Sequence, residues 1–328
     1  MASPFRFALI GVGRWGHTYL RTLARVPEAG QVTLLCTSRP DNAALVPHPV
    51  VVTADWREAV RSAACDAVII ATPSVTHAQI VEACVAARKP CLAEKPLCLD
   101  LATAMRLHEF VTVSGVPVLV DHIHLFDPRY QALRKALLDG GEPIRALVSE
   151  GMGLGPFRSD TPALWDWGPH DVSMCVDLLG AGLQQVTALA GPDGPDGQPG
   201  LIAIRAEGPG GAVAWMHVGN LSSSKRRTLT VWTDRHVYRL DAVAPGPAAM
   251  AEVAWVGRAA PPAGELAWRD LLAGSARSPL ETLLLYFIDG VRGGDRRYFG
   301  TALALEVTRV LAACEQALHQ RGGCSVDV

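Results

Sequence analysis

The stretch Phe7-Ala-Leu-Ile-Gly11-Val-Gly13-Arg-Trp-Gly16-His-Thr-Tyr-Leu20 constrains the fold more than any other part of this chain. Phe7 to Ile10 is a short apolar run of strand length. It ends on Gly11-x-Gly13-x-x-Gly16, and from His17 to Val26 the spacing is helical, with Leu20 and Leu23 on one face. Strand, glycine turn and helix in that order form a dinucleotide-binding fingerprint rather than a chance match. Gly11 permits the tight turn, Gly13 lets the backbone approach a pyrophosphate, and Gly16 lets the helix pack close to the strand. The unpaired N–H groups at the helix start then face an anion.

The next apolar run, Val32 to Cys36, completes a strand-helix-strand unit. The acidic residue expected near its end, for a ribose diol, is replaced by Thr37-Ser38-Arg39-Pro40. Without a carboxylate there, Ser38 and Arg39 suit a 2′-phosphate, with Arg14 in the glycine turn as a second basic group. The expected cofactor is therefore NADP or NAD, with NADP favoured.

Strands at Val50 to Thr53, Asp66 to Thr72 and Val116 to Val120 alternate with helices at Asp55 to Arg61, Val75 to Arg88 and Leu101 to Ser114. This alternation predicts a doubly wound parallel sheet over roughly the first 120 residues. Ligands in such sheets bind beyond the carboxyl ends of the strands. That rule puts Thr72-Pro73, Glu94-Lys95-Pro96 and Asp121-His122 on one rim with the glycine turn. His122 and His124 alternate along a strand-like segment, so one of the two is expected to face the site.

Beyond Pro128 the pattern changes. A helix is expected over Arg129 to Asp139, a strand over Ile144 to Glu150, and a glycine-rich loop over Gly151 to Pro156. A helix ends at Gly180, and five short strands follow without helices between them, from Gln185 to Leu240. They predict an α+β second domain with an open, mostly antiparallel sheet. The segment Val243 to Pro262 reads as the least ordered, and Pro279 to Gly290 and Thr301 to Gln320 as two closing helices. The expected division is a Rossmann domain over 1–122 and a substrate-binding and oligomerisation domain over 123–328.

Composition narrows the function. A formal net charge of -2 gives no electrostatic reason to expect nucleic acid or an anionic membrane as partner. No apolar run is long enough to span a bilayer, and the first strand begins too near Met1 for a signal peptide, so a cytoplasmic protein is expected. The eight cysteines make no C-x-x-C pair and sit mostly in apolar segments, which reads as reduced core thiols. No His/Cys cluster has metal-ligand spacing, so no metal is expected.

Three segments resemble the glucose-fructose oxidoreductase and inositol dehydrogenase (Gfo/Idh/MocA) family over nearly the whole chain. They are Ile10 to Gly16, then Asp66 to His77 through Ala93-Glu94-Lys95-Pro96-Leu97, and Asp166-Trp-Gly-Pro-His170-Asp171. The resemblance implies an NAD(P)-dependent oxidoreductase acting on a sugar or polyol, assembled as a homodimer or homotetramer. It implies Lys95, Asp166 and His170 as the catalytic set, with the two domains meeting over a nicotinamide. The chemistry of each residue agrees. A histidine suits the hydroxyl proton, a carboxylate four residues earlier on a helix shares its face, and a lysine polarises the oxygen. The implied cofactor site comprises Gly11, Gly13, Arg14, Trp15, Gly16, Ser38, Arg39, Thr72, Pro73, His77, Glu94, Lys95 and Pro96. The implied substrate site comprises Lys95, His122, Tyr130, Trp165, Asp166 and His170.

Pro162-Ala-Leu-Trp165 stands where the family often has a glycine-rich stretch before the aspartate, and Trp165, Pro169 and Asp171 resemble members acting on nucleotide-linked or amino sugars. Two other functions stand beside the main one. They are a non-catalytic dinucleotide-binding sensor, which the retained Lys95, Asp166 and His170 argue against, and a reductase of a non-sugar substrate. The substrate itself is set by pocket shape, which sequence does not give.

Overall fold

The computed structural model describes residues 4–180, 182–243, 246–253, 266–272 and 277–320. The chain forms two compact units, Met1–Ile123 with Pro279–Thr308, and His124–Ser278 with Arg309–Val328.

The first unit begins with β1 (Arg6–Ile10), α1 (Arg14–Arg25), β2 (Gln31–Cys36), β3 (Val51–Thr53) and α2 (Trp56–Arg61). It continues through β4 (Ala67–Ile70), α3 (His77–Ala86), β5 (Cys91–Glu94), α4 (Leu101–Ser114) and β6 (Val118–Asp121). The six strands form one parallel sheet in the order β3-β2-β1-β4-β5-β6. This is the doubly wound order, which reverses between β1 and β4. Its strands read as unbroken apolar runs because both faces are buried; Ala67 to Ile70 have no exposed surface. Side chains fix the helix starts. Asp55 accepts from the Arg57 N–H at 2.9 Å, and Asp100 from the Thr103 N–H at 2.8 Å.

The second unit opens with α5 (Pro128–Gly140), β7 (Ile144–Leu154) and α6 (Ala163–Leu179). Then come β8 (Gln184–Ala190), β9 (Leu201–Glu207), β10 (Val213–Gly219), β11 (Leu221–Thr233), β12 (His236–Asp241), β13 (Ala248–Glu252) and β14 (Arg269–Leu272). These strands form an eight-stranded sheet in the order β14-β13-β12-β11-β7-β10-β9-β8, antiparallel at every pair except β7 with β10. Helix α6 packs on β7 and β10, and α5 on β12 to β14.

Two differences from the sequence reading have clear causes. The expected loop at Gly151 is strand: β7 runs on to Leu154, and Gly151 and Gly153 lie within it. Their missing side chains are what the strand needs. A Cβ on residue 151 would overlap Asp171 Oδ2 and Arg227 Nη1, and one on residue 153 would lie 2.9 Å from the Trp167 ring. The segment from Val243 holds strand β13, fixed by pairing with β12 at Val237↔Ala251 and Tyr238↔Met250. Residues 244–245 and 254–262 of that segment lie outside the described residues.

The last helices are α7 (Pro279–Val291) and α8 (Ala302–His319). Helix α7 and the start of α8 belong to the first unit, where a single division near residue 122 would not place them. The apolar face of α7 accounts for this. Phe287 lies 6.1 Å from Phe7 of β1 and stacks on Phe299 at 5.7 Å, and the Gly300 N–H donates to the Val118 carbonyl at 2.7 Å. Among the described residues, no helix is long and apolar enough to cross a membrane.

Candidate active site

The glycine turn is built by steric necessity. Gly11 leaves β1 with φ 95°, donates its N–H to the Cys36 carbonyl at 3.0 Å, and leaves no room for a Cβ, which would sit 2.5 Å from the Ala71 carbonyl oxygen. Gly16 lies inside α1 against the Gly11 carbonyl, so a side chain there would force helix and turn apart. Gly13 differs. It caps α1 with an ordinary extended backbone, and a Cβ there would meet nothing within 4 Å. No side chain caps α1, and its first turn carries no acidic residue. Free N–H groups, a positive dipole end and open space above Gly13 together suit a phosphate group. Arg14, Ser38 and Arg39 are exposed, and Trp15 is half-buried. Thr37 Oγ1 accepts from the Arg39 N–H at 3.1 Å and from Asn42 at 2.9 Å, which sets the shape of the loop after β2.

On the rim, Thr72 and Pro73 follow β4, and Glu94 ends β5 ahead of the cis Lys95-Pro96 peptide. His77 is buried between these loops. Its Nδ1 lies 2.8 Å from the Pro96 carbonyl and its Nε2 2.9 Å from the Thr72 carbonyl. A neutral ring donates to one of them, and a protonated ring to both. His77 thus braces two rim loops, where the sequence suggested a cofactor contact.

Glu94 also points inward. It is buried beside Asp121, its register partner on β6, and Tyr19 of α1 donates its hydroxyl to Asp121 Oδ2 at 2.6 Å. Burial and the Asp121 charge push the Glu94 carboxyl well above its usual range, and burial raises Asp121. His122 is buried with both ring nitrogens unpartnered; burial, with the Lys95 charge, lowers it to about 4, so it stays neutral. Lys95 is itself largely buried.

In the second unit, α6 carries Asp166 and His170 one turn apart on the same face. The whole segment from Ala163 is helical, Pro169 included. The ring of His124 meets that of His170 edge to face, with centroids 4.7 Å apart. Arg158 ion-pairs with Asp160 at 2.8 Å and approaches Asp166 at 3.6 Å. Beside His170, Asp171 is fully buried; it accepts from the Ser149 hydroxyl and pairs with Arg227 at 2.7 Å. The Arg227 guanidinium in turn lies 5.5 Å from the Trp167 ring.

Sequence reasoning missed Ser149 and Arg227 as neighbours of this turn, and named His124 only as one of two histidines of which one was expected to face the site. The available signal for Ser149 and Arg227 was the pair of glycines within a strand-length run. Two expected substrate contacts are buried. Tyr130 has no exposed surface and donates to Asp177 at 2.7 Å, on the carboxylate that Arg134 reaches at 3.0 Å. Trp165 is 2% exposed, with its Nε1 3.4 Å from Glu315. Among the described residues no group of three His, Cys, Asp or Glu side chains is placed to hold a metal ion, and the seven cysteines there are free and buried.

Fold and glycine turn together define a class of Rossmann-type oxidoreductases. Residues 5–122 match the model of an oxidoreductase family with an NAD-binding Rossmann fold, GFO_IDH_MocA. The chain belongs to this family, whose fold implies a nicotinamide cofactor. It is 30% identical over 207 residues to inositol 2-dehydrogenase 2 of Paenarthrobacter aurescens, covering 60% of this chain and 62% of that one. It is 32% identical over 217 residues to inositol 2-dehydrogenase of Mycolicibacterium gilvum, with 62% of each covered. These matches span about three fifths of the length of the curated relatives. Among solved structures, an oxidoreductase-class protein from Magnetospirillum magnetotacticum MS-1 is 37% identical, with TM-score 0.83, over 95% of this chain and 100% of that one. UDP-N-acetylglucosamine 3-dehydrogenase from Acidithiobacillus ferrooxidans shares the fold at TM-score 0.83 and 20% identity, over 98% and 99%.

Proposed function

We propose that this protein is an NAD(P)-dependent dehydrogenase or reductase. It moves a hydride between the nicotinamide and a carbinol or ketone carbon of a sugar, polyol or nucleotide-linked sugar. The observation that carries this reading is the Asp166–His170 turn of α6, in a chain whose other unit keeps an uncapped helix start and Lys95. His170 takes the hydroxyl proton as alcohol becomes ketone, and returns it in the reverse direction. Asp166 orients the imidazole, and Lys95 stabilises the charge that develops on the oxygen. The cofactor supplies the hydride acceptor or donor. The uncapped N–H groups of α1 hold its diphosphate. Arg39 and Ser38 favour the 2′-phosphate of NADP over the bare ribose of NAD.

The inositol 2-dehydrogenases among the relatives put cyclic polyols first in the search for substrate. The experiment is a panel of inositols, aldoses and nucleotide sugars with each cofactor, read as reduced-cofactor absorbance. Turnover on a member of the panel is the expected result. No turnover on any member, despite tight cofactor binding, overturns the enzymatic reading.

A further inference from the structure

We propose that Glu94 and Asp121 work as one acid, a buried carboxyl pair that shares a single proton and holds one fixed negative charge against Lys95. The backbone creates the pair. Strands β5 and β6 are parallel neighbours with Glu94 opposite Asp121, and register partners in a sheet project to the same face. Both side chains are sealed from solvent, at 5% and 1% exposure. Tyr19 holds the pair from α1 through one member: its hydroxyl donates to Asp121 Oδ2 at 2.6 Å. One oxygen on each carboxyl, Glu94 Oε1 and Asp121 Oδ1, has no hydrogen-bond partner.

A buried carboxylate oxygen without a donor is costly, and two adjacent buried carboxylates cannot both stay ionised. A proton held between them answers both problems, since it supplies a donor and removes one charge. The surrounding groups set the count at one. The titratable groups acting on the pair are Tyr19, Lys95 and each carboxyl on the other. His122, the residue after Asp121, is kept neutral by its burial. One cation therefore faces two acids, and a single retained proton balances the charge. Burial acts in the same direction on both carboxyls. Glu94 and Asp121 are thus positioning residues. They set the negative charge that acts on Lys95, and loss of the shared proton would double it.

The pair is read by infrared spectroscopy of the cofactor-free protein, where a protonated carboxyl gives a C=O band that shifts in heavy water. At neutral pH the wild-type protein is expected to show this band, and Glu94→Gln and Asp121→Asn are each expected to lose it. No band in the wild type would mean two ionised carboxylates and overturns the proposal. Loss of the band in only one variant would mean a lone buried acid and overturns the sharing. If either variant fails to fold, Tyr19→Phe decides. It leaves both carboxyls in place and is expected to shift the band, and an unshifted band overturns the clamped pair.

The consequence for Lys95 rests on the function proposed above and has its own readout. With a substrate in hand, the alkaline limb of the hydride-transfer rate is expected in the wild type and absent from Glu94→Gln and Asp121→Asn. A limb unchanged in both overturns the positioning role. Because the infrared band is read without cofactor or substrate, its absence counts against the pair alone. Failure of the substrate panel counts against the enzymatic reading alone.

Discussion

Asp171 Oδ2 occupies the space in which a side chain on residue 151 would stand. The buried Asp171–Arg227 pair, at 2.7 Å, thus exists because β7 carries glycine there. Removing one partner from such a pair costs roughly 3–5 kcal/mol, because it leaves an uncompensated charge. Gly151→Ala pushes the pair apart and is expected to cost a similar amount. Thermal unfolding against the wild type measures it; a loss near that of an ordinary surface change would show that the sheet yields instead.

Arg39 is exposed beyond β2 on a loop whose shape Thr37 sets. A charge-assisted hydrogen bond to a 2′-phosphate contributes about 1.5–3 kcal/mol, roughly ten- to a hundredfold in Kd. Arg39→Ala is expected to weaken NADP binding by that factor and to leave NAD binding nearly unchanged. Fluorescence titration with both reduced cofactors checks this, and equal losses for the two would remove the basis for an NADP preference.

A positioned acid–base group contributes about 10²–10⁴-fold in rate. His170→Ala and Lys95→Ala are each expected to lose at least the lower figure in single-turnover hydride transfer, with cofactor affinity kept by the glycine turn. Near-normal transfer in His170→Ala would pass the proton to another group. His124, edge-on to the His170 ring, is the first to test, since Tyr130 is committed to Asp177.

The face of the second sheet opposite α6 exposes Trp215 and Leu189, at 45% and 55%. Trp215 stands between Val148 and Arg205 in the ladder. An apolar face on an open sheet favours cover by a second copy. Trp215→Glu is expected to lower the mass seen by light scattering, and a monomeric wild type at all concentrations would contradict this.

Glu142 gives a pH dependence with a definite sign. Burial raises its pKa, but hydrogen bonds from Thr233, the Arg235 N–H and His236 outweigh this and bring it to about 2. Unfolded glutamate titrates near pH ~4.3. The native state thus binds fewer protons in this window, so the stabilisation is full above pH ~4.3 and is lost as pH falls toward about 2. The stability margin of the wild type over Glu142→Gln is expected to shrink over that interval. A margin independent of pH would assign the effect to packing.

What the sequence made legible were the local rules. Strand, glycine turn and helix all lie within 20 residues, and the caps Asp55 and Asp100 act within three positions of themselves. The placement of Asp166 and His170 on one helical face follows in the same way. What was hidden depends on distant partners. Gly151 and Gly153 read as loop by propensity, and only Asp171, Arg227 and Trp167 show why a strand needs them. Ala248 to Glu252 has no β-branched residue and is a strand because β12 pairs with it. Phe287 is an ordinary apolar helix residue until Phe7, 280 positions away in sequence, is seen beside it.

The uncapped start of α1 has a consequence for how the protein is stabilised. A helix that leaves its first N–H groups to a ligand forgoes the stability, typically ~1 kcal/mol, that a capping side chain contributes. A ligand that binds the native state would add stability there, about 2.7 kcal/mol at a hundred times its Kd. On the proposed function, the cofactor would then also stabilise the fold. On that function, resistance of the protein to proteolysis is expected to rise with added dinucleotide, and limited proteolysis with and without cofactor measures it.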